Sequence, residues 1–167
     1  SASVDGGMTT MGLGGATNVT LLSHGYFVRA YILLQDYLRG QQTSSELYNK
    51  LVSALRNSLL LSPKNPMLVH AAATIYVVLR DRVSCMHNLY AARALYEEAK
   101  RQPNHDAFLT DKGLIELHDQ IGKNLANDHQ HLLSNDTNFD NAVRELTSAV
   151  KKTEAAAENA TASETSS

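Results

Sequence analysis

The chain has 167 residues, enough for one domain or a short repeat array with a real core. A hydrophobic content of 43% against 19% charged residues excludes wholesale disorder, and a formal net charge of -2 argues against a dedicated electrostatic grip on nucleic acid. Cys85 is the single cysteine, so no intramolecular disulfide can form, and no apolar run, Leu59-Leu60-Leu61 included, approaches the length of a membrane span.

A reducing, cytoplasmic setting is the simplest expectation, since the N-terminus lacks the basic-then-apolar plan of a secretory signal. In that setting the formal glycosylation sequons at Asn18, Asn135 and Asn159 are coincidental. All 15 Lys and Arg lie between Arg29 and Lys152, while Asp5, Glu154, Glu158 and Glu164 lie outside that span. The body is weakly basic and the tail weakly acidic.

Residues 1–18 are rich in Gly, Ser and Thr and are read as a flexible arm. A first helix is predicted from about Thr20 to Arg39, with Phe27, Ile32, Leu34 and Leu38 as its apolar contacts and Gly40 at a left-handed cap. Thr43-Ser-Ser-Glu46 has the spacing of a capping box. Leu47, Leu51, Ala54, Leu55, Ser58 and Leu59 then recur at helical spacing to about Leu61, and the short loop makes this pair antiparallel. Ser62-Pro-Lys-Asn-Pro66 stops one helix and starts the next: Pro63 cannot continue a helix, Asn65 can cap, and Pro66 suits a first turn.

The third helix carries Leu68, Ala71, Ala72, Ile75, Val78 and Leu79 on one face. After a polar break, Asp81 or Ser84 caps a fourth helix to about Arg101, whose inner face is Cys85, Leu89, Ala92, Tyr96 and Ala99. A second stop and restart at Pro103 and Asp106 opens a fifth helix, with Ala107, Leu114, Leu117 and Ile121 on one side and Phe108 and Ile115 beside them, ended by Gly122. Lys123 to Asn138 is a mixed insert in which Leu125, Leu132 and Leu133 support at most a short helix. In the last helix, Phe139, Ala142, Val143, Leu146, Ala149 and Val150 fall on one stripe, with Thr137 or Asn138 as cap. The organisation expected is an arm over 1–18, a helical domain over 19–152 and a disordered acidic tail over 153–167.

The run from Phe139 to Val150 resembles the second helix of a tetratricopeptide repeat: an aromatic, then Ala142, then Leu146, then Ala149. The Leu-Ser-Pro-Lys-Asn and Arg-Gln-Pro-Asn-His runs around Pro63 and Pro103 are similar to that family's closing turn. The likeness covers about Ser45 to Val150. The two turns stand further apart than the family's period of about 34 residues, no Trp occurs, and the insert interrupts the pattern. It implies an all-α fold of antiparallel helical hairpins stacked as a short TPR-like α-solenoid, with a compact helical bundle as the alternative. In such an array the first helix of each hairpin lines a groove, which makes His70, Thr74, Val77, Thr110, Leu114 and Leu117 the candidate partner-binding residues. The Lys and Asn with which some members clamp a peptide carboxylate are missing at His70/Thr74 and Thr110/Leu114. An apolar or mixed segment is therefore the expected guest.

No phosphate loop is present, because Gly12-Leu-Gly-Gly has neither a strand before it nor Lys-Ser/Thr after it. Asp128, His129 and His131, with His118 and Asp119 upstream, invite a metal reading, but residues two apart diverge on a helix and a polar loop accounts for them. Cys85 falls on an inferred buried face and reads as a core cysteine, and Glu97-Glu98 as solvated helix. No catalytic set, metal or cofactor is expected.

The functional expectation is a non-enzymatic protein–protein interaction module, an adaptor or subunit of a larger assembly that binds a partner segment on a helical groove. The alternative is a self-assembling structural protein, a filament or coat subunit turning Arg29, Arg39, Arg56, Arg80, Arg82 and Arg93 toward a packaged nucleic acid. No membrane partner is expected.

Overall fold

The computed structural model describes residues 2–40, 45–101 and 112–165, with side chains described for 18–40, 45–101, 116 and 119–153. Six helices occupy these residues: α1 (Ala2–Arg39), α2 (Ser45–Leu61), α3 (Pro66–Val78), α4 (Arg82–Arg101), α5 (Lys112–Ser134) and α6 (Asp136–Thr165). No strand occurs among them, as expected of an all-α chain. Two compact units divide the chain, 1–63 and 64–167. Their boundary falls where Pro63 cannot continue α2. α1 begins at Ala2 and α6 runs to Thr165.

The first unit is the α1–α2 hairpin. Its helices run antiparallel: Tyr37 and Tyr48 meet near the connection with ring centroids 6.1 Å apart, while Ser23 and Ser58 meet at the other end. Small residues let the helices approach closely there. The Ser23 hydroxyl donates to the Ser58 carbonyl at 2.8 Å and the Ser58 hydroxyl donates to the Ser23 carbonyl at 2.7 Å, so both buried hydroxyls are satisfied. Ala30, Leu34, Leu51, Ala54 and Leu55 fill the interior, each buried leucine contributing about 1.5–3 kcal/mol. Ile32 was expected inside, but it points outward at 51% exposure, because the buried stripe follows Ser23, Ala30 and Leu34. Gly40 closes α1 with its N–H on the Asp36 carbonyl at 2.9 Å and does not take up the left-handed conformation expected of it. The Thr43 capping box lies outside the described residues.

In the second unit α3 packs on α4 and α6, α4 packs on α5, and α5 packs on α6. These contacts join all four helices in one packed all-α unit. Asn65 caps α3 as expected, its Oδ1 accepting from the N–H groups of Met67 at 3.1 Å and Leu68 at 3.2 Å. Asp81 caps α4, accepting from the Ser84 N–H at 3.0 Å and the Ser84 hydroxyl at 2.7 Å. Cys85, Leu89, Ala92 and Tyr96 are buried as their spacing requires, with Asn88 among them donating to the Ser84 carbonyl at 2.8 Å. Arg82 ties this corner to the α5–α6 turn: it pairs with Asp136, donates to the Leu132 carbonyl at 3.4 Å and lies 5.7 Å from the Phe139 ring centroid.

Two sequence expectations change here. α5 does not end at Gly122 but continues to Ser134, and it absorbs most of the supposed insert. The cap of α6 is Asn135, whose side chain accepts from the Asn138 N–H at 2.8 Å, and not Thr137 or Asn138. Pro103, Asp106, Ala107, Phe108 and the expected start of the fifth helix lie outside the described residues.

The left-handed cap missing at Gly40 occurs instead at the end of α3. The Arg80 N–H reaches the Val77 carbonyl and the Asp81 N–H reaches the Tyr76 carbonyl, both at 2.9 Å, which is the Schellman pairing with Arg80 at φ 61°. Glycine takes that conformation without the Cβ penalty. Arg80→Gly is therefore expected to stabilise the second unit by about 0.5–1 kcal/mol, read as a higher urea midpoint at unchanged slope.

Candidate functional site, a cavity with an acidic rim

His70, Thr74 and Val77 stand at i, i+4 and i+7 on α3 and share a stripe. With Ala73 they form one wall of a cavity of about 210 Å³; Cys85 and Leu89 come from α4, Asp128, His131 and Leu132 from α5, and Ala142, Glu145 and Leu146 from α6. The three α3 candidates thus meet at one site. Val77 is a correction in detail: at 2% exposure it belongs to the floor and not to an exposed groove, because α3 is packed on two sides. Thr110 lies outside the described residues, as do the side chains of Leu114 and Leu117.

The floor is apolar and the rim is polar. His70 is 24% exposed, and its Nε2–H donates to Asp128 Oδ2 at 2.6 Å, since a carboxylate can only accept. Thr74 turns its hydroxyl back to the His70 carbonyl at 3.3 Å, which fixes this edge of the wall. Cys85 lies fully buried beside the cavity, and burial, then the negative charges of Asp128 and Asp81, push its thiol up to about 12. A thiolate is scarce there at neutral pH, so this cysteine behaves as a small core hydrophobe.

Asp128, His129 and His131 are distributed by the helix that carries them. Asp128 meets His70, His131 reaches the cavity edge, and His129 stacks edge-on against Tyr90 with centroids 4.1 Å apart. Among the described residues no three His, Cys, Asp or Glu side chains converge as metal ligands would. His129 Nε2 is shut off from solvent with no hydrogen-bond partner among those residues, and desolvation, then the Arg93 charge, lowers its pKa. The unfolded chain therefore takes up a proton here more readily than the folded one. Stability is expected to fall as the pH drops below the ordinary histidine value of 6.5. His129→Gln should flatten that part of the curve in urea titrations run at a series of pH values.

Asp128, Glu145, Leu132 and Leu146 were not among the expected site residues. The signal that places Asp128 was present: Leu125, Asp128 and Leu132 stand at i, i+3 and i+7, a stripe that continues only if the helix passes through Gly122. Leu125 and Leu132 are both buried. Among the described residues no helix is long and apolar enough to cross a membrane. No family model matches the chain, and no curated protein or solved structure matches it.

Proposed function

We propose that the chain is a non-enzymatic docking module, an adaptor or subunit of a larger assembly, and that the cavity of its second unit receives a segment of a protein partner. The observation that carries this reading is an apolar floor from four helices beneath a rim bearing Asp128 and Glu145. Such a site suits a side chain with a long hydrocarbon stem and a cationic head: the stem lies on Ala73, Val77, Leu89, Leu132 and Leu146, and the head meets the carboxylates. The anchor of the partner segment is accordingly Lys or Arg. A volume of about 210 Å³ matches one side chain better than a drug-sized ligand.

Fluorescent peptide pools with a fixed central Lys or Arg, compared with pools fixed at Asp or Glu, test the proposal. The basic pools are expected to bind, and Asp128→Asn combined with Glu145→Gln to weaken them at least about tenfold, about 1.4 kcal/mol. Equal binding of basic and acidic pools would contradict it.

One observation favours the self-assembling alternative. Leu21, Val28 and Ile32 are 63%, 41% and 51% exposed and share a face of α1, with Gly25 between them and no other side chain close to it. Their i, i+7, i+11 spacing suits packing against a second α1. Sedimentation across a concentration series distinguishes the readings: the alternative requires mass growing with concentration and loss of that growth in Val28→Glu.

A further inference from the structure

We infer that the second unit carries a separate recognition site for a phosphorylated peptide, built from Arg80, Arg144, Lys151 and Lys152. These four cations line one open groove of about 500 Å³ together with the hydroxyl residues Thr147 and Ser148, and no carboxylate lines it. On α6 the positions 144, 147, 148 and 151 recur at i, i+3, i+4 and i+7, so helical geometry alone aligns two cations and two hydroxyls on one face. Arg80 joins them from the turn between α3 and α4, giving the groove a second cationic wall.

The backbone fixes where Arg80 stands. Among the described residues Arg80 is the one non-glycine residue with a positive φ, at a cap position where glycine is the usual occupant. The Schellman hydrogen bonds at the end of α3 hold that conformation. The Arg80 side chain is a guanidinium lining a groove that otherwise holds only cations, hydroxyls and Val143.

The extent of the groove selects among phosphate-bearing partners. Asp140 lies one helical turn before Arg144, and Glu154 follows Lys152 in sequence, so the cationic run is short and bounded by acidic residues. A polynucleotide backbone calls for cations that continue along its track, and single strands call for aromatic platforms; no aromatic residue lines this groove. An anionic membrane surface attracts cations and makes no use of hydroxyl donors, whereas Thr147 and Ser148 stand among the cations of this groove. One phosphoryl dianion, bracketed by guanidinium and ammonium groups and accepting from Thr147 and Ser148, fits the set.

The test uses degenerate peptide pools with a central phosphoserine, their unphosphorylated counterparts, a mixed-sequence oligonucleotide and phosphatidylserine vesicles, all at the same physiological ionic strength. The phosphoserine pool is expected to bind at least about tenfold more tightly than the other three, with amide shifts at Thr147 and Ser148. Arg144→Glu with Lys151→Glu should abolish that binding, and Arg56→Ala, on α2, should leave it unchanged. Arg80→Gly separates this role from a structural one: it is expected to raise the thermal midpoint while weakening phosphopeptide binding about tenfold. An Arg80→Gly chain that melts higher and binds as before, a pool that binds equally with and without its phosphate, or tighter binding of the oligonucleotide or the vesicles would each overturn the inference.

Discussion

Gly122→Ala is expected to destabilise the second unit by about 1–3 kcal/mol, although alanine is the better helix former. Inside a helix the exchange normally gains about 1 kcal/mol through backbone entropy. At Gly122 that gain is outweighed, because a Cβ there would run into the ring of Tyr96. Tyr96 is itself buried on α4, so its ring cannot swing into solvent without giving up its own packing. The absence of a side chain is what lets α5 lie against α4 while continuing past the point where the sequence alone would end it. A double-mutant cycle in urea isolates the cause: in a Tyr96→Leu background the same Gly122→Ala change should become neutral or stabilising. A penalty that persists in that background would place the effect somewhere other than this contact.

Ala142→Leu is expected to abolish binding of Lys- or Arg-anchored peptides, a loss of about a hundredfold or more, about 2.7 kcal/mol, while leaving the second unit folded. Ala142 is a half-buried wall residue of the α6 face, and the added carbons extend into space that the cavity already provides. Overpacking strain is correspondingly small, unlike that at Gly122, where there is no space to enter. Thr74→Leu attacks the same volume from the opposite wall and serves where the first variant lowers stability. Peptide binding measured by fluorescence polarisation, with the urea midpoint as the check on folding, reads both variants. Retained binding with a filled cavity would move the docking site elsewhere.

The contrast between these two positions also explains which parts of the molecule could be read from the residues. The caps at Asn65 and Asp81 and the start at Pro66 were legible because they act on backbone groups within a turn of themselves, whereas the caps expected at Gly40 and at Thr137 or Asn138 were not found. The face of α4 was legible because Cys85, Leu89, Ala92 and Tyr96 keep one period. Gly122 misled because a glycine signals a helix end locally and a close helix approach only in three dimensions, and only the second applies here. That misreading hid Asp128 in an apparent loop and with it the acidic part of the cavity rim. Ile32 and Val77 exchanged their expected environments for a related reason. An apolar residue on a helix reports that some face is covered, but which face depends on how many neighbours the helix has. Arg80 could not have been anticipated as a left-handed cap, since its residue type argues against that conformation.

The α3 stripe and its acidic rim are proposed as the docking site for a basic anchor. Amide and methyl resonances followed during titration with a Lys-fixed peptide pool test it most directly. The expected result is a set of saturable shifts confined to Ala73, Thr74, Val77, Leu132, Ala142 and Leu146, absent in the Asp128→Asn, Glu145→Gln chain. Shifts that leave those residues untouched, or that persist unchanged in the double variant, would contradict it.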